Sequence, residues 1–282
     1  MLPIRAMRNT QAIRRLAGAA IAVLAAAGLM LPAAPARASG QHHNNFYFRV
    51  GVTRLTPHTK SSPVTLSGVS KIAGLALSDG PIAGSGATVP PMTTPSVTIG
   101  YVLPWMHRHL AAETILAPPL TAKFVATGTL RYQSLAPNVF GVPTGIPALG
   151  KNIGETKTLP PLVTLVYRFG PRYAVVPYVG AGVTYIYTYD SKVTNPILEE
   201  LRTPVFEVSN TWGWVAQVGV HTRFWHSWYA TLDAKYIGDA TVTGTVKGVA
   251  LDSAFGPVSV GTSKATVTLN PLVLQAGVGF NF

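Results

Sequence analysis

Two groups of histidines are the places where this sequence could do acid–base or metal chemistry. His107 and His109 alternate, so on a strand they share a face, and Glu113 follows four residues after the second; His42 and His43 are adjacent. Two imidazoles with a carboxylate can ligate a metal or pass protons. Neither group, however, comes with the coherent set of nucleophile, base and orienting residue that catalysis needs. The 282 residues include no cysteine, which removes thiolate nucleophiles, thiolate zinc sites and disulfides together. No glycine-rich phosphate loop or nucleic-acid module is present. The expectation is a protein that is not an enzyme, holds no cofactor or metal, and does not bind nucleic acid.

A second set of polar residues is spread widely along the chain: Arg49, Glu113, Gln217, His221, Asp233, Lys235 and Gln275. Each lies on the polar face of a segment whose other face is apolar, within a few residues of a short link. Only strands place alternate residues on opposite faces. From Val175 the odd positions (Val175, Pro177, Val179, Ala181, Val183, Tyr185, Tyr187, Tyr189) are apolar or aromatic, while Gly180, Gly182 and Thr184 occupy the other side. Leu272, Leu274, Ala276, Val278, Phe280 and Phe282 repeat the pattern opposite Gln275, Gly277, Gly279 and Asn281. Six more segments fit: Asn45 to Leu55, Ser96 to Leu103, His109 to Leu116, Leu162 to Phe169, Asn210 to Phe224, and Tyr229 to Ile237.

The total is eight, an even number, with three short links (104–108, 170–173, 225–228) alternating with four long ones (57–95, 117–161, 191–209, 241–264). That is the pattern of an all-β, eight-stranded antiparallel transmembrane barrel with short periplasmic turns and long extracellular loops. The charged fraction is only 11%, low for the polar surface of a soluble β-sandwich, the other architecture built from such strands. Aromatic residues gather at both ends of the segments, as headgroup belts require. Trp105, Phe169, Tyr173, Trp225, Trp228, Tyr229 and Phe282 form one belt, and Tyr187, Tyr189, Trp212 and Trp214 the other.

The first 38 residues read as a cleaved export signal. Arg5, Arg8, Arg14 and Arg15 precede the apolar run Leu16 to Leu31, and Ala36-Arg37-Ala38 supplies the cleavage site. Residues 39–282 are then the mature barrel, destined for the bacterial outer membrane. Removing the signal takes away five arginines and lowers the formal charge from +12 to +7, so much of the basic excess serves export.

The segments Thr158 to Tyr167, Val176 to Tyr185, Asn210 to Val220 and Leu269 to Phe282 together resemble the OmpW family of small outer-membrane proteins, as does Leu116-Ala117-Pro118-Pro119-Leu120. The similarity covers mainly residues 96–123 and 155–282; the stretches 57–95 and 130–154 depart from it. The resemblance implies an eight-stranded barrel that lets small hydrophobic molecules cross the outer membrane through an apolar passage discharging sideways through the wall. Separately, an aromatic (Phe282) at the close of an alternating strand resembles the assembly signal of bacterial outer-membrane proteins, which makes the barrel-assembly machinery an expected partner.

The residues themselves suggest how such a passage would be arranged. Opposite charges in the narrow lower lumen would pair into a plug, since an unpaired buried charge is costly. Nearer the long loops the inward positions become smaller and more apolar (Gly180, Gly182, Thr184, Ile186, Thr211, Val273), giving an apolar funnel above a closed periplasmic end. Pro118, Pro119, Pro160, Pro161, Pro177 and Pro271 each remove a ladder donor, and a break at them could form a lateral window. The two pairs could equally mark strand ends or loop entries, whereas Pro177 stands within an apolar strand and is harder to dismiss. Expected partners are outer-membrane lipid, small hydrophobic solutes and lipopolysaccharide. Arg54, Lys60, Lys71, Lys123 and Lys151 could touch its phosphates, although an ordinary solvated face is the commoner explanation of such scattered charge. The alternative is a filled barrel that anchors an adhesin or receptor and carries no solute.

Overall fold

The computed structural model describes residues 45–281, save 70–78, 105, 135–137, 140–141, 144–147, 149, 172–173, 196–204, 226 and 254–255. The expected leader at 1–38, His42, His43, Lys71, Trp105, Tyr173 and Phe282 therefore lie outside the described residues.

Eight strands form the wall: β1 (Phe46–Thr56), β2 (Met92–Val102), β3 (Leu110–Leu116), β4 (Leu162–Arg168), β5 (Val175–Val193), β6 (Thr211–Trp225), β7 (Trp228–Gly238) and β8 (Leu272–Asn281). Each is antiparallel to its sequence neighbour, and β1 pairs with β8 from Tyr47–Asn281 to Thr56–Leu272, which closes the cylinder. Closure leaves no sheet edge, the condition for strands to stand in lipid. The short turns after β2, β4 and β6 lie at the end where β1 begins and β8 finishes.

Alternation along each strand sorts side chains between two surroundings. On β7, Leu232 is 60% exposed on the outer surface while its neighbour Asp233 is buried inside. Val52, Val163, Leu165, Val179, Val183, Val218, Leu274 and Val278 continue the exposed apolar band. Trp212, Trp214 and Tyr187 project outward near one end, and Trp225 and Trp228 near the other. Tyr229 departs from its expected place in the belt: it is 4% exposed and points inward, in phase with Asp233 and Lys235 on the same strand, with Gly279 opposite leaving room for its ring. A charge in the middle of the band should unfold the barrel first. Val218→Arg is expected to cost about 2–4 kcal/mol, read from urea unfolding in lipid bilayers against Val218→Leu.

The long connections, expected as loops, are partly sheet. Leu120–Gly128 continues the direction of β3 and pairs with Asn152–Leu159, which pairs in turn with the far half of β5. On another side Thr241–Ser253 and Gly256–Thr268 form a hairpin joined by Val205–Val208, Lys60–Ser61 and Thr65–Ser67. Their outer faces meet water rather than lipid, so threonine, lysine and serine replace the apolar residues that betray the membrane strands. Leu66, Val89, Phe124, Val193, Phe206, Val242, Val246 and Val267 join these strands in one buried core. Phe124 and Phe206 meet edge to face at 5.5 Å.

Candidate functional site

Four charged side chains converge inside the cylinder. Arg49 on β1, Glu113 on β3, and Asp233 and Lys235 on β7 are all at most 5% exposed. Arg49 Nη2 lies 2.5 Å from Glu113 Oε2, and Lys235 Nζ pairs with Asp233 Oδ1. Neutral donors complete both carboxylates. Tyr47 donates to Glu113 Oε1 (2.5 Å), Tyr178 to Asp233 Oδ2 (2.8 Å), and Gln217 Nε2 bridges Glu113 Oε2 (3.0 Å) and Asp233 Oδ2 (2.7 Å). Arg49 Nη1 in turn donates to the Tyr178 hydroxyl at 3.0 Å. The two cations and two carboxylates sum to zero formal charge, so the layer avoids the large cost of an uncompensated buried ion.

Toward the short turns, three tyrosines fill the lumen. Tyr47, Tyr178 and Tyr229 stand directly across from Gly100, Gly219 and Gly279 on neighbouring strands. A Cβ at any of these glycines would overlap the facing ring, so the missing side chain is what lets each tyrosine lie flat against the wall. The rings pack with Val102, Ala111 and Val166, all at most 3% exposed apart from Tyr47 and Tyr229. His221 lies beside them, with ring centroids 5.3 Å from Tyr229 and 6.0 Å from Tyr178. One layer up, Gln275 Nε2 donates to Ser96 Oγ (2.9 Å) and Thr98 Oγ1 (3.1 Å).

Above Gln275 the lumen wall turns apolar: Leu162, Ile186, Val215, Ile237, Ala240 and Val273 cluster, with Leu55 and Ile115 packed against them. At this height the cylinder is interrupted on one side. The β2–β3 ladder ends at Val97–Leu116, whereas β2 continues to Met92 along β1 alone. Pro118 and Pro119 separate β3 from Leu120–Gly128, and Pro160 and Pro161 separate Asn152–Leu159 from β4. The four prolines offer no N–H to carry the ladder across.

A cavity of about 300 Å³ occupies this break. Met92, Leu116, Leu120, Leu159, Pro160 and Pro161 wall it, and Thr53, Thr94 and Ser96 are the lining residues with polar side chains. Leu116 is also 52% exposed on the outer face, so the cavity reaches the lipid-facing surface. A smaller cavity of about 60 Å³ lies further toward the long connections, against Val89, Phe124, Ile186 and Val242. Leu55, Met92, Leu120, Pro160 and Ile237 line both, so the two adjoin.

Of the prolines considered for a window, Pro160 and Pro161 border the cavity and Pro118 lies within the break. Pro177 does not: it pairs with Val220 in an uninterrupted β5–β6 ladder, its carbonyl accepting from Phe169 N at 2.9 Å. Pro271 lines the smaller cavity. Ile186 borders the smaller cavity and Val273 the larger. His107, His109 and Glu113 do not form one group. His109 stacks on Tyr167 and bonds the Arg168 carbonyl oxygen (2.7 Å), while Glu113 is committed to Arg49. Among the described residues no three His, Cys, Asp or Glu side chains are placed to share a metal. Alternation alone sets Thr53 and Tyr178 inward, but nothing in the sequence marks Tyr47, Tyr178, Ser96 or Thr53 as partners of the buried polar residues, because those contacts depend on register across strands distant in sequence.

The model of the OmpW family matches residues 42–282. The chain belongs to the OmpW family. Outer membrane protein W of Vibrio cholerae is 31% identical over 173 residues, covering 58% of this chain and 72% of that protein. Outer membrane protein AlkL of Ectopseudomonas oleovorans is 29% identical over 138 residues, 49% of this chain and 51% of its own. The crystal structure of OprG from Pseudomonas aeruginosa superposes with a TM-score of 0.64 at 22% identity, covering 85% of this chain and 96% of OprG, and shares its fold. The protein is a bacterial outer-membrane β-barrel.

Proposed function

We propose that this OmpW-family barrel passes small hydrophobic molecules across the outer leaflet, from an apolar upper lumen into the bilayer through the proline break, above a sealed periplasmic half. The observation that carries this reading is the cavity of about 300 Å³ that adjoins the upper lumen and reaches the lipid-facing surface at Leu116. A solute leaving there stays in apolar surroundings and never has to displace the charged layer of Arg49, Glu113, Asp233 and Lys235. Lipopolysaccharide hinders direct partition of apolar solutes, which gives a protein bypass its purpose. Lipopolysaccharide phosphates would meet the exposed Arg54, Lys60, Lys123 and Lys151.

Phe124 and Phe206 pack across the outer approach, so entry requires the extracellular strands to part there. The same ordered core favours a second reading, in which those strands present a binding surface and the barrel is their anchor. Initial uptake by cells with and without the protein separates the two. Under the transport reading an apolar probe enters faster when the protein is present while a polar probe of similar size does not. Equal rates for both probes, with the barrel correctly folded in the outer membrane, would leave the anchor as the better account.

A further inference from the structure

The side cavity is apolar but not uniformly so. Its lining residues with polar side chains lie together on β1 and β2, where Thr53 is paired across from Thr94 and diagonal to Ser96. Thr53 Oγ1 and Ser96 Oγ are 2.6 Å apart, and Ser96 Oγ also accepts from Gln275 Nε2 at 2.9 Å. The pair owns two hydroxyl protons. One is consumed in the bond between them, whichever residue donates. The other is left to point elsewhere, and the cavity is the space these hydroxyls border. Every residue lining the cavity is uncharged. The cations below it are already paired, Arg49 with Glu113 and Lys235 with Asp233.

We infer that the site favours neutral, apolar molecules carrying a single oxygen acceptor, such as medium-chain ketones and alkanols, over both pure hydrocarbons and carboxylates. The inference rests on the proposed lateral passage and names the chemistry it selects. A ketone or hydroxyl oxygen accepts the spare proton of the Thr53–Ser96 pair while the chain lies against Met92, Leu116 and Leu120. A hydrocarbon leaves that donor unused, at the cost of an unmade hydrogen bond. A carboxylate would enter with no cation to meet it, which is costlier still. The cavity is roughly twice the ~150 Å³ that accommodates benzene in an engineered apolar core, enough for an eight-carbon chain.

The test compares octane, 2-octanone, 1-octanol and octanoate, each as the protein-dependent part of the initial uptake rate into cells. The native protein should favour 2-octanone and 1-octanol over octane by about three- to tenfold, the range expected of one net hydrogen bond, with octanoate slowest. In Thr53→Val/Ser96→Ala that preference should vanish, with octane entry retained or raised because the unused donor is gone; heat-modifiable electrophoretic migration certifies that the variant folds. Protein-dependent octane uptake with no preference for the ketone and alcohol, or a preference that survives the double substitution, overturns the inference and leaves the passage intact. Preference for octanoate overturns it as well. Absence of protein-dependent uptake for all four, with the barrel folded, removes the passage itself and the inference with it.

Discussion

Leu120→Trp should abolish most protein-dependent entry of apolar probes without unfolding the barrel. Leu120 lies immediately after the Pro118-Pro119 break, is 8% exposed, and borders both the side cavity and the smaller cavity above it. An indole there fills the space the two cavities have in common, whereas removing Leu120 altogether would only enlarge it. Uptake in the tryptophan variant is therefore expected to fall at least about tenfold toward the rate of cells lacking the protein, while Leu120→Ala keeps or exceeds the native rate. Van der Waals overlap costs about 1–3 kcal/mol when a packed core is overfilled, less here because a cavity is available. Heat-modifiable electrophoretic migration would report whether the barrel remains closed. Native uptake in folded Leu120→Trp would mean that solutes do not pass this point.

Glu113→Ala should be among the most destabilising single changes in the chain. The substitution removes the partner of Arg49 and the acceptor of both Tyr47 and Gln217. Arg49 would be left charged and buried, with the Tyr178 and Thr231 hydroxyls and the Tyr47 ring beside it but no carboxylate in its ion pair. Breaking a buried ion pair from one side costs about 3–5 kcal/mol. The double change Arg49→Met/Glu113→Leu deletes both charges, keeps volume, and should recover most of that loss. Urea unfolding of the refolded barrels in lipid, followed by tryptophan fluorescence, measures both. If Glu113→Ala unfolds at the native urea concentration, the pair does not hold the interior together. Leakage of small ions through folded Glu113→Ala in planar bilayers would further indicate that the layer seals the lumen as well as stabilising it.

How far the sequence discloses this arrangement depends on which solvent each residue meets. The eight membrane strands are legible because lipid on one side and packed lumen on the other impose a strict period of two, as in Leu232, Asp233, Ala234 and Lys235. Beyond the membrane that contrast disappears. Thr241–Ser253 and Gly256–Thr268 pair as firmly as the wall does, yet water bathes their outer face and their composition resembles a loop. Tyr229 shows a different difficulty. A tyrosine beside a turn suits a headgroup belt, yet Tyr229 alternates in phase with Asp233 and Lys235 and so points inward, where Gly279 leaves room for its ring.

The side cavity was legible only in part. Paired prolines at 118–119 and 160–161 stand out in the chain, but they could mark strand ends as readily as a window. That both pairs meet at one height follows from the Leu162–Ile115 and Leu120–Thr158 pairings, which join residues about forty positions apart. Pro177 looks similar in sequence and is held in an intact ladder. The hydroxyl pair of Thr53 and Ser96 carried no signal of its own, since single threonines and serines on inward positions are common and their meeting depends on the β1–β2 register.

The route itself can be read by photolabelling in intact outer membranes with an apolar diazirine probe, followed by mass-spectrometric mapping of the modified residues. Val218, Leu232 and Leu274 face lipid and will be labelled by any probe dissolved in the bilayer. Ile186, Ile237 and Val273 are buried inside the cylinder and border the cavities. If solutes pass through the proline break, these interior residues are labelled too, excess unlabelled apolar solute suppresses that labelling, and Leu120→Trp removes it at Ile237 and Val273. Labels confined to Val218, Leu232, Leu274 and the rest of the lipid-facing band would contradict a passage through the barrel wall.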